Sequence, residues 1–304
     1  MTWNKNTKVM AGLLGALILL VVVYFGITAW NNKQQEKKDA KAEAEKIYVT
    51  DVAEVTEVTY DAGSGALSFA KEDDDWHYAD NKDYPLDQSY VKTIADTFGK
   101  LEADRELTDG DSLADYGLEQ PAYQVQLTGS DGTKSVVYIG NATGDYYYVT
   151  VDDTKKVYTV SASVVSDIQH TLEDMTKLDT FPTIGSGNLT KVEITENAKT
   201  TVYDVSNDDD TESIAAVAGG LGAVSLDTVA VYPDQELDLA KYGLDEAKRI
   251  TEKVTYTSDD KEQTYTFYIG SEDGAGNRYL MVQDSDIVYT ITTAVCSNVL
   301  NQGE

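Results

Sequence analysis

The segments that decide the fold are LADYGL at residues 113–118 and LAKYGL at residues 239–244, because the second repeats the first 126 residues later. Two further blocks return in the same order: YIG at 138–140 and 268–270, and VYTV or VYTI at 157–160 and 288–291. Three ordered blocks with slowly growing spacing indicate a duplicated unit with insertions in its loops. We therefore predict a first unit over residues 48–180 and a second over residues 181–304.

Each LADYGL-type block is typical of a single helical turn that a glycine ends. Gly117 and Gly243 are expected in the left-handed conformation, with Leu118 and Leu244 folded back onto the turn. β-Rich segments follow each block, at about 123–128, 134–139, 146–151 and 157–160 in the first unit and about 251–257, 263–269, 278–283 and 287–291 in the second.

An amphipathic helix precedes each block. In the first unit Asp87 or Ser89 is expected to cap the helix, and in the second the helix is expected at about 211–223. The apolar side of the first helix carries Tyr90, Ile94, Ala95, Phe98 and Leu101. The sequence therefore predicts an α+β fold of two tandem, mainly antiparallel β units, each with a packed helix, preceded by one N-terminal transmembrane helix.

Residues 9–30 contain no charged side chain. A helix of this length spans about 33 Å, enough to cross a hydrocarbon core of roughly 30 Å. We predict an uncleaved transmembrane helix over residues 9–30, after a short flank at residues 1–8. A cleaved signal peptide is the alternative, but the apolar run is too long for one and no small-residue cleavage site precedes Trp30.

The flanks of this segment give conflicting evidence on its orientation. Residues 31–47 are charged and free of Gly and Pro, which predicts a helical stalk. This stalk holds five lysines against two in the N-terminal flank, and that distribution favours a cytoplasmic domain. The short N-terminal flank nevertheless resembles a signal anchor. We predict a single-pass protein of the cell membrane with its large C-terminal domain extracytoplasmic and the lipid bilayer contacted through residues 9–30.

The composition excludes several classes of function. The chain has 53 acidic and 24 basic residues and a net charge of −29, which disfavours nucleic acid and anionic lipid headgroups as partners of the domain. Cys296 is the only cysteine, so neither an intramolecular disulfide nor a four-cysteine zinc site can form.

Few residues of the sequence suggest catalysis or metal binding. His77 and His170 have no partner at metal-ligand spacing, and no G-x-S-x-G elbow is present. Cys296 has no nearby histidine or basic residue in the sequence to activate its thiol, so we expect it to pack in the core. We name no catalytic, cofactor-binding or metal-binding residue.

Two other features leave alternatives open. Acidic runs at 73–75 and 207–210 occupy similar places in the two units and are interpreted as solvated turns, with weak divalent cation binding as the alternative. Tyr146, Tyr147 and Tyr148 place aromatic rings on both faces of one strand. This pattern fits ordinary β propensity, or an exposed contact surface for protein or glycan.

The chain resembles the bacterial family called domain of unknown function 4340. The resemblance rests on these segments: LADYGLEQPA (113–122), SVVYIG (135–140), YYYVTV (146–151), VYTV, LAKYGL, FYIG (267–270), RYLMV (278–282) and VYTI. It covers nearly all of residues 48–304, although the second unit lacks the proline that follows LADYGL in the first. The resemblance implies a single-pass membrane protein often associated with ABC-transporter components similar to the gliding-motility type. It implies no catalytic residue.

The expected function is that of a non-enzymatic, membrane-anchored extracytoplasmic accessory or binding protein, an auxiliary component of an ABC-type transport complex whose partners are membrane transporter subunits. The alternative is a cell-envelope module that binds glycan or peptide through exposed tyrosines. A hydrolase remains a third hypothesis, which a pocket gathering His77 or His170 with acidic residues would favour.

Overall fold

The computed structural model describes residues 44–302 except 62, 64, 109–111 and 153, together with eleven residues before them: Tyr24, Ile27, Thr28, 30–35, Lys38 and Lys41. All eleven are helical. The rest of the predicted transmembrane helix at 9–30, and the flank at 1–8, lie outside the described residues. Within the described part of the chain, no helix is long and apolar enough to cross a membrane. The described stalk residues are helical as far as Ala44, and a strand begins at Ile47.

Seventeen strands and four helices make up the described domain. The earlier elements are β1 (Ile47–Tyr48), β2 (Val55–Asp61), β3 (Ala66–Glu72), β4 (Asp75–Tyr78), α1 (Gln88–Gly99), β5 (Glu102–Ala103), β6 (Arg105–Leu107), β7 (Tyr123–Gly129), β8 (Lys134–Thr143), β9 (Tyr146–Val151), β10 (Val157–Ser161) and α2 (Ala162–Ser166). The later elements are β11 (Leu189–Glu196), β12 (Lys199–Asp204), a 3-10 turn (Asp208–Asp210), α3 (Thr211–Leu221), β13 (Val229–Val231), β14 (Ile250–Ser258), β15 (Lys261–Glu272), β16 (Asn277–Val282), β17 (Val288–Thr292) and α4 (Thr293–Val299).

Two large sheets contain most of these strands. The first sheet has eight strands in the order β4-β3-β2-β7-β8-β9-β10-β6, and the second has seven in the order β12-β11-β14-β15-β16-β17-β13. From β3 onward, the order in the first sheet matches that of the second, and β4 is the one additional strand. The strand pairs whose register is resolved are antiparallel, including the small pair of β1 with β5. The predicted mainly antiparallel α+β fold is confirmed at this level.

The LADYGL-type turns form as predicted. Gly117 and Gly243 have φ of +73° and +66°. The N–H of Leu118 donates to the carbonyl of Leu113 over 2.8 Å, and Leu244 N–H donates to Leu239 over 2.9 Å. This bond across six residues is the Schellman closure of a helical turn, which requires a residue that tolerates positive φ.

The glycine of each YIG block leaves room for the LADYGL-type turn that lies beside it. Asn141 N–H donates to the Tyr116 carbonyl over 2.8 Å, and Ser271 N–H donates to the Tyr242 carbonyl over 2.9 Å. A Cβ at Gly140 or Gly270 would overlap that same carbonyl oxygen. The strand pairing also shifts register immediately after the glycine in both sheets. The two motifs are therefore a matched pair, in which glycine on the strand lets the turn approach the backbone.

Residues with positive φ set the tight turns between neighbouring strands. Asp73 and Asp74 connect β3 to β4, and Asn197 and Ala198 connect β11 to β12, with φ between +48° and +77°. Two consecutive residues with positive φ are typical of the two-residue hairpin turns whose twist suits antiparallel strands. The β11–β12 hairpin has no glycine, which explains why the sequence pattern did not predict it.

The core of the second sheet lies between one of its faces and the two later helices. Ile214, Val217, Ala218 and Leu221 of α3 are buried at helical spacing. They share a cluster with Val254, Phe267 and Tyr289 of the sheet and Cys296 and Val299 of α4. The opposite face is covered by the LAKYGL turn, since Tyr242 and Leu244 pack with Met281 and Val288.

The chain divides into two compact units, one made of residues 1–55, 61–63 and 96–166 and the other of residues 56–60, 64–95 and 167–304. The sequence-derived units at 48–180 and 181–304 stay a prediction.

The helices nearly coincide with their expected positions, but α3 ends at Leu221 rather than near 223.

Candidate functional site

His77 lies on β4 and takes part in a local turn. Its Nδ1 is 3.2 Å from the Lys82 carbonyl, and the Lys82 ammonium forms an ion pair with Glu72. The hydrogen bond from Lys82 holds the pKa of the Glu72 carboxyl below its ordinary value. The arrangement links β3, β4 and the loop that follows them.

His170 lies beside Tyr90, with ring centroids 4.8 Å apart in an edge-on arrangement. The two rings line a small open cleft of about 210 Å³ together with Ser89, Thr93 and Asp167. Tyr90, which the helical spacing placed on the apolar side of α1, is partly buried and lines this cleft, and the neighbouring Val91 is fully buried.

Cys296 is buried on α4, as predicted. Burial raises the pKa of its thiol, while the nearby Arg278 guanidinium acts in the opposite direction. Arg278 also donates through Nε and Nη2 to the Gly270 carbonyl, over 3.0 and 2.7 Å. A thiol with a raised pKa is less ionised at neutral pH and therefore a weaker nucleophile.

The acidic runs are turn-forming segments. Asn207 caps the 3-10 turn by accepting from Asp209 N–H, and Asp210 Oδ2 accepts from Asp204 N–H over 3.0 Å. Asp74 lies 3.2 Å from Lys71 Nζ. Within the described part of the chain, no group of three or more His, Cys, Asp and Glu residues could hold a metal ion.

The three consecutive tyrosines divide between the two faces of β9. Tyr147 packs edge-on against Tyr123, with centroids 6.3 Å apart, and Tyr148 packs against Tyr116 of the LADYGL turn at 4.6 Å. Tyr146 is 37% exposed. A tyrosine contact surface in this strand therefore consists mainly of Tyr146.

A larger cleft lies on the second sheet, and we call it the hydroxyl groove. It has a volume of about 370 Å³ and lies where the loop after α3 meets β17 and the start of α4. Its lining is Ala223, Ser225, Asp227, Thr228, Asn277, Thr290, Ile291, Thr292 and Val295. Alternating strand geometry explains why Thr290 and Thr292 both reach it, since residues two apart on a strand share a face.

Backbone and side-chain hydrogen bonds fix the walls of the hydroxyl groove. Thr290 N–H donates to the Thr228 carbonyl over 2.9 Å, which joins the loop to β17. Thr228 Oγ1 donates to Asp227 Oδ1 over 3.1 Å, and Asn277 Nδ2 donates to Asp273 Oδ2 over 2.8 Å. The groove presents hydroxyl groups and one carboxylate, a set suited to hydrogen-bonding a polar ligand.

Comparison with known proteins places the fold in a family. The model for "Domain of unknown function (DUF4340)" matches residues 76–224 and again residues 210–301. This chain belongs to the DUF4340 family. The two matches each include one LADYGL-type turn and one YIG block, so the DUF4340 pattern occurs twice here. No curated protein and no solved structure matched the chain.

The sequence pattern did not predict the hydroxyl groove of this DUF4340 protein. Its lining comes from four separate places in the chain, namely the loop after α3, β16, β17 and α4, and threonine is common in β structure. A second missed feature is Glu252, which is completely buried in β14. The regular spacing of Ile250, Glu252 and Val254 was the only available signal, because residues two apart on a strand face the same side.

Proposed function

We propose that this DUF4340 protein is a non-enzymatic, membrane-anchored extracytoplasmic accessory protein, an auxiliary component of an ABC-type transport complex. The proposal rests on the structural role of the two repeated motifs. The LADYGL and YIG blocks of both sheets close a turn onto a strand, so their residues maintain backbone packing. A pair of sheets built in this way offers surfaces to a partner.

Further support comes from the sequence. The apolar stretch at 9–30 and the charged stretch at 31–47 suit a domain held at a short distance from a bilayer. In this proposal the tandem units at 48–180 and 181–304, each with its packed helix, present the binding surface. The net charge of −29 keeps that surface in water and away from anionic lipid headgroups.

The test is affinity purification of the intact tagged chain from detergent-solubilised membranes. We expect transporter ATPase and permease subunits to co-purify, as identified by mass spectrometry. Recovery of no membrane protein under conditions that preserve known transporter complexes would overturn the proposal.

The second candidate function is a cell-envelope module that binds glycan or peptide, and the hydroxyl groove favours it. Sedimentation with purified cell wall tests this function. Thr228 is exposed on the rim of the groove, so Thr228→Arg is expected to abolish co-sedimentation by filling the cleft. Thr201→Arg, an equal change at an exposed position on β12, is the control. Equal sedimentation of the two variants would contradict a role for the groove.

A further inference from the structure

Glu252 is a carboxylic acid buried in the hydrophobic core of the second sheet. It is 0% exposed, in the middle of β14. Its neighbours on the adjacent strands are Ile194 and Phe267, both buried. Neither carboxyl oxygen has a hydrogen-bond partner among the described residues. Burying an acidic group without a partner costs free energy, and the cost is greatest when the group is ionised.

The equivalent position of the first sheet shows which kind of side chain this fold holds at that point of the core. Tyr123 pairs with Ile139 as Ile250 pairs with Ile269, so Glu252 corresponds to Val125 two residues further along. Val125 is also 0% exposed and pairs with Val137, as Glu252 pairs with Phe267. The site is therefore an apolar core position that the second sheet fills with an acid.

The core around Glu252 contains many hydrophobic side chains, among them Ile194 of β11 and Ile214 and Val217 of α3. The titratable groups of this core are four tyrosines and the Cys296 thiol, and the tyrosines are Tyr203, Tyr256, Tyr265 and Tyr289. Burial raises the pKa of the thiol, Glu252 and Glu272 raise it further, and Arg278 of β16 lowers it. Burial alone raises the pKa of the Glu252 carboxyl well above its ordinary value of 4.5.

The direction of the pH effect follows from this raised pKa. A group with a higher pKa in the folded state stabilises that state fully below its unfolded pKa, near 4.5. That stabilisation is lost as the pH rises towards and through the folded pKa. Ionised Glu252 is stabilised by contact with water, and α3 and α4 are the layer that covers its face of the sheet, since Ile250 and Val254 on either side of it pack with both helices.

We propose that Glu252 is a proton-dependent latch, which in its protonated form keeps α3 and α4 closed on the second sheet and on losing its proton lets this helix layer open. Opening exposes the Cys296 face of α4, because Cys296 and Val299 are the buried residues of that helix. The second sheet of this protein thereby responds to the acidity of its compartment, a property that the first sheet, with Val125, lacks.

Cys296 reports the opening directly, since it is the only cysteine of the chain and only 1% exposed. The full-length protein in detergent is treated with dithiodipyridine, and the labelling rate is divided by the rate for urea-unfolded protein at the same pH. This ratio removes the titration of the thiol itself. We expect the ratio to rise with pH above the ordinary glutamate pKa of 4.5, by up to about tenfold per pH unit.

The variants Glu252→Gln and Glu252→Val are expected to remove this rise and to label about tenfold or more slowly at the alkaline end. Glu262→Gln, which removes an exposed carboxylate from the adjacent strand β15, should behave like the wild type. Hydrogen exchange of the α4 amides provides a second measurement if one variant folds poorly. A wild-type slope retained in Glu252→Gln, or lost equally in Glu262→Gln, would overturn the proposal.

Discussion

At the scale of single residues, one glycine in each sheet allows the LADYGL-type turn to pack against the strand. Gly140 and Gly270 have ordinary backbone angles, so positive φ is not the reason for glycine at these positions. The reason is space, because the carbonyl oxygens of Tyr116 and Tyr242 occupy the place of a Cβ. Each carbonyl accepts a backbone hydrogen bond from the next residue of the strand, and a side chain would break that bond as well.

The change Gly270→Ala is therefore expected to destabilise the protein by about 1–3 kcal/mol, since overpacking forces the backbone to move. Urea denaturation followed by circular dichroism measures the loss. Gly187→Ala is the control, because its Cβ would meet nothing within 4 Å and its φ is not positive. A Gly270→Ala variant as stable as Gly187→Ala would show that the turn can move away from the strand without a loss of stability.

Asp273 organises the loop between β15 and β16 through its carboxylate. The side chain of Asn277 donates to it over 2.8 Å, and the N–H groups of Ala275 and Asn277 donate over 2.7 and 3.0 Å. These bonds, led by the Asn277 side chain, lower the pKa of the Asp273 carboxyl below its ordinary value of 3.8. The loop is therefore stabilised by Asp273 above pH 3.8, and this contribution is lost as the pH falls through the lowered pKa.

We expect an NMR titration to place the Asp273 midpoint below 3.8 and the change Asn277→Ala to raise it towards that value. The exposed Gln263→Ala substitution is the control and should leave the midpoint where it was. An Asp273 midpoint that does not change in Asn277→Ala would contradict the stated cause.

At the scale of elements, the packing of α3 against α4 depends on one of two adjacent glycines. Gly220 is buried, and a Cβ there would lie 2.5 Å from the backbone N of Val299. Gly219 is exposed, and a Cβ there would meet nothing within 4 Å. The two helices therefore approach closely on the Gly220 side only.

This asymmetry predicts opposite effects from the same substitution. Gly219→Ala should stabilise the protein by about 0.5–1 kcal/mol, because alanine is the better helix former. Gly220→Ala should destabilise it by about 1–3 kcal/mol despite the same gain in helix propensity, since α4 must move away. Thermal unfolding of both variants makes the comparison. Two shifts of the same sign would refute the close approach of α3 and α4.

At the scale of the whole molecule, the proposal of a membrane anchor includes an orientation for the acidic domain. In that proposal the domain is extracytoplasmic, whereas the five lysines at residues 31–47 favour the reverse. The net charge of −29 suits a domain that stays in water in either case.

Protease added to intact cells is expected to remove the domain, as followed by an antibody against it, because an outward-facing domain is accessible. A cytoplasmic protein that is digested only after permeabilisation is the control. Survival of the domain in intact cells and its digestion after permeabilisation would reverse the predicted topology.

The sequence by itself determined those parts of the protein whose causes are local. The Schellman turns at Gly117 and Gly243, the apolar faces of the helices and the repeated order of the blocks all follow from residues close together in the chain. For the same reason the α+β class and the family could be predicted, whereas the glycine-free turn at Asn197-Ala198 could not.

Only the tertiary structure decided the features that depend on segments distant in sequence. The hydroxyl groove gathers side chains from four places in the chain, and glycine is needed at 140 and 270 because of a carbonyl more than twenty residues away. Glu252 is indistinguishable from a solvated strand residue until β11, β15 and the helix layer enclose it. Burial is a property of the assembled core, and a linear pattern of residues does not contain it.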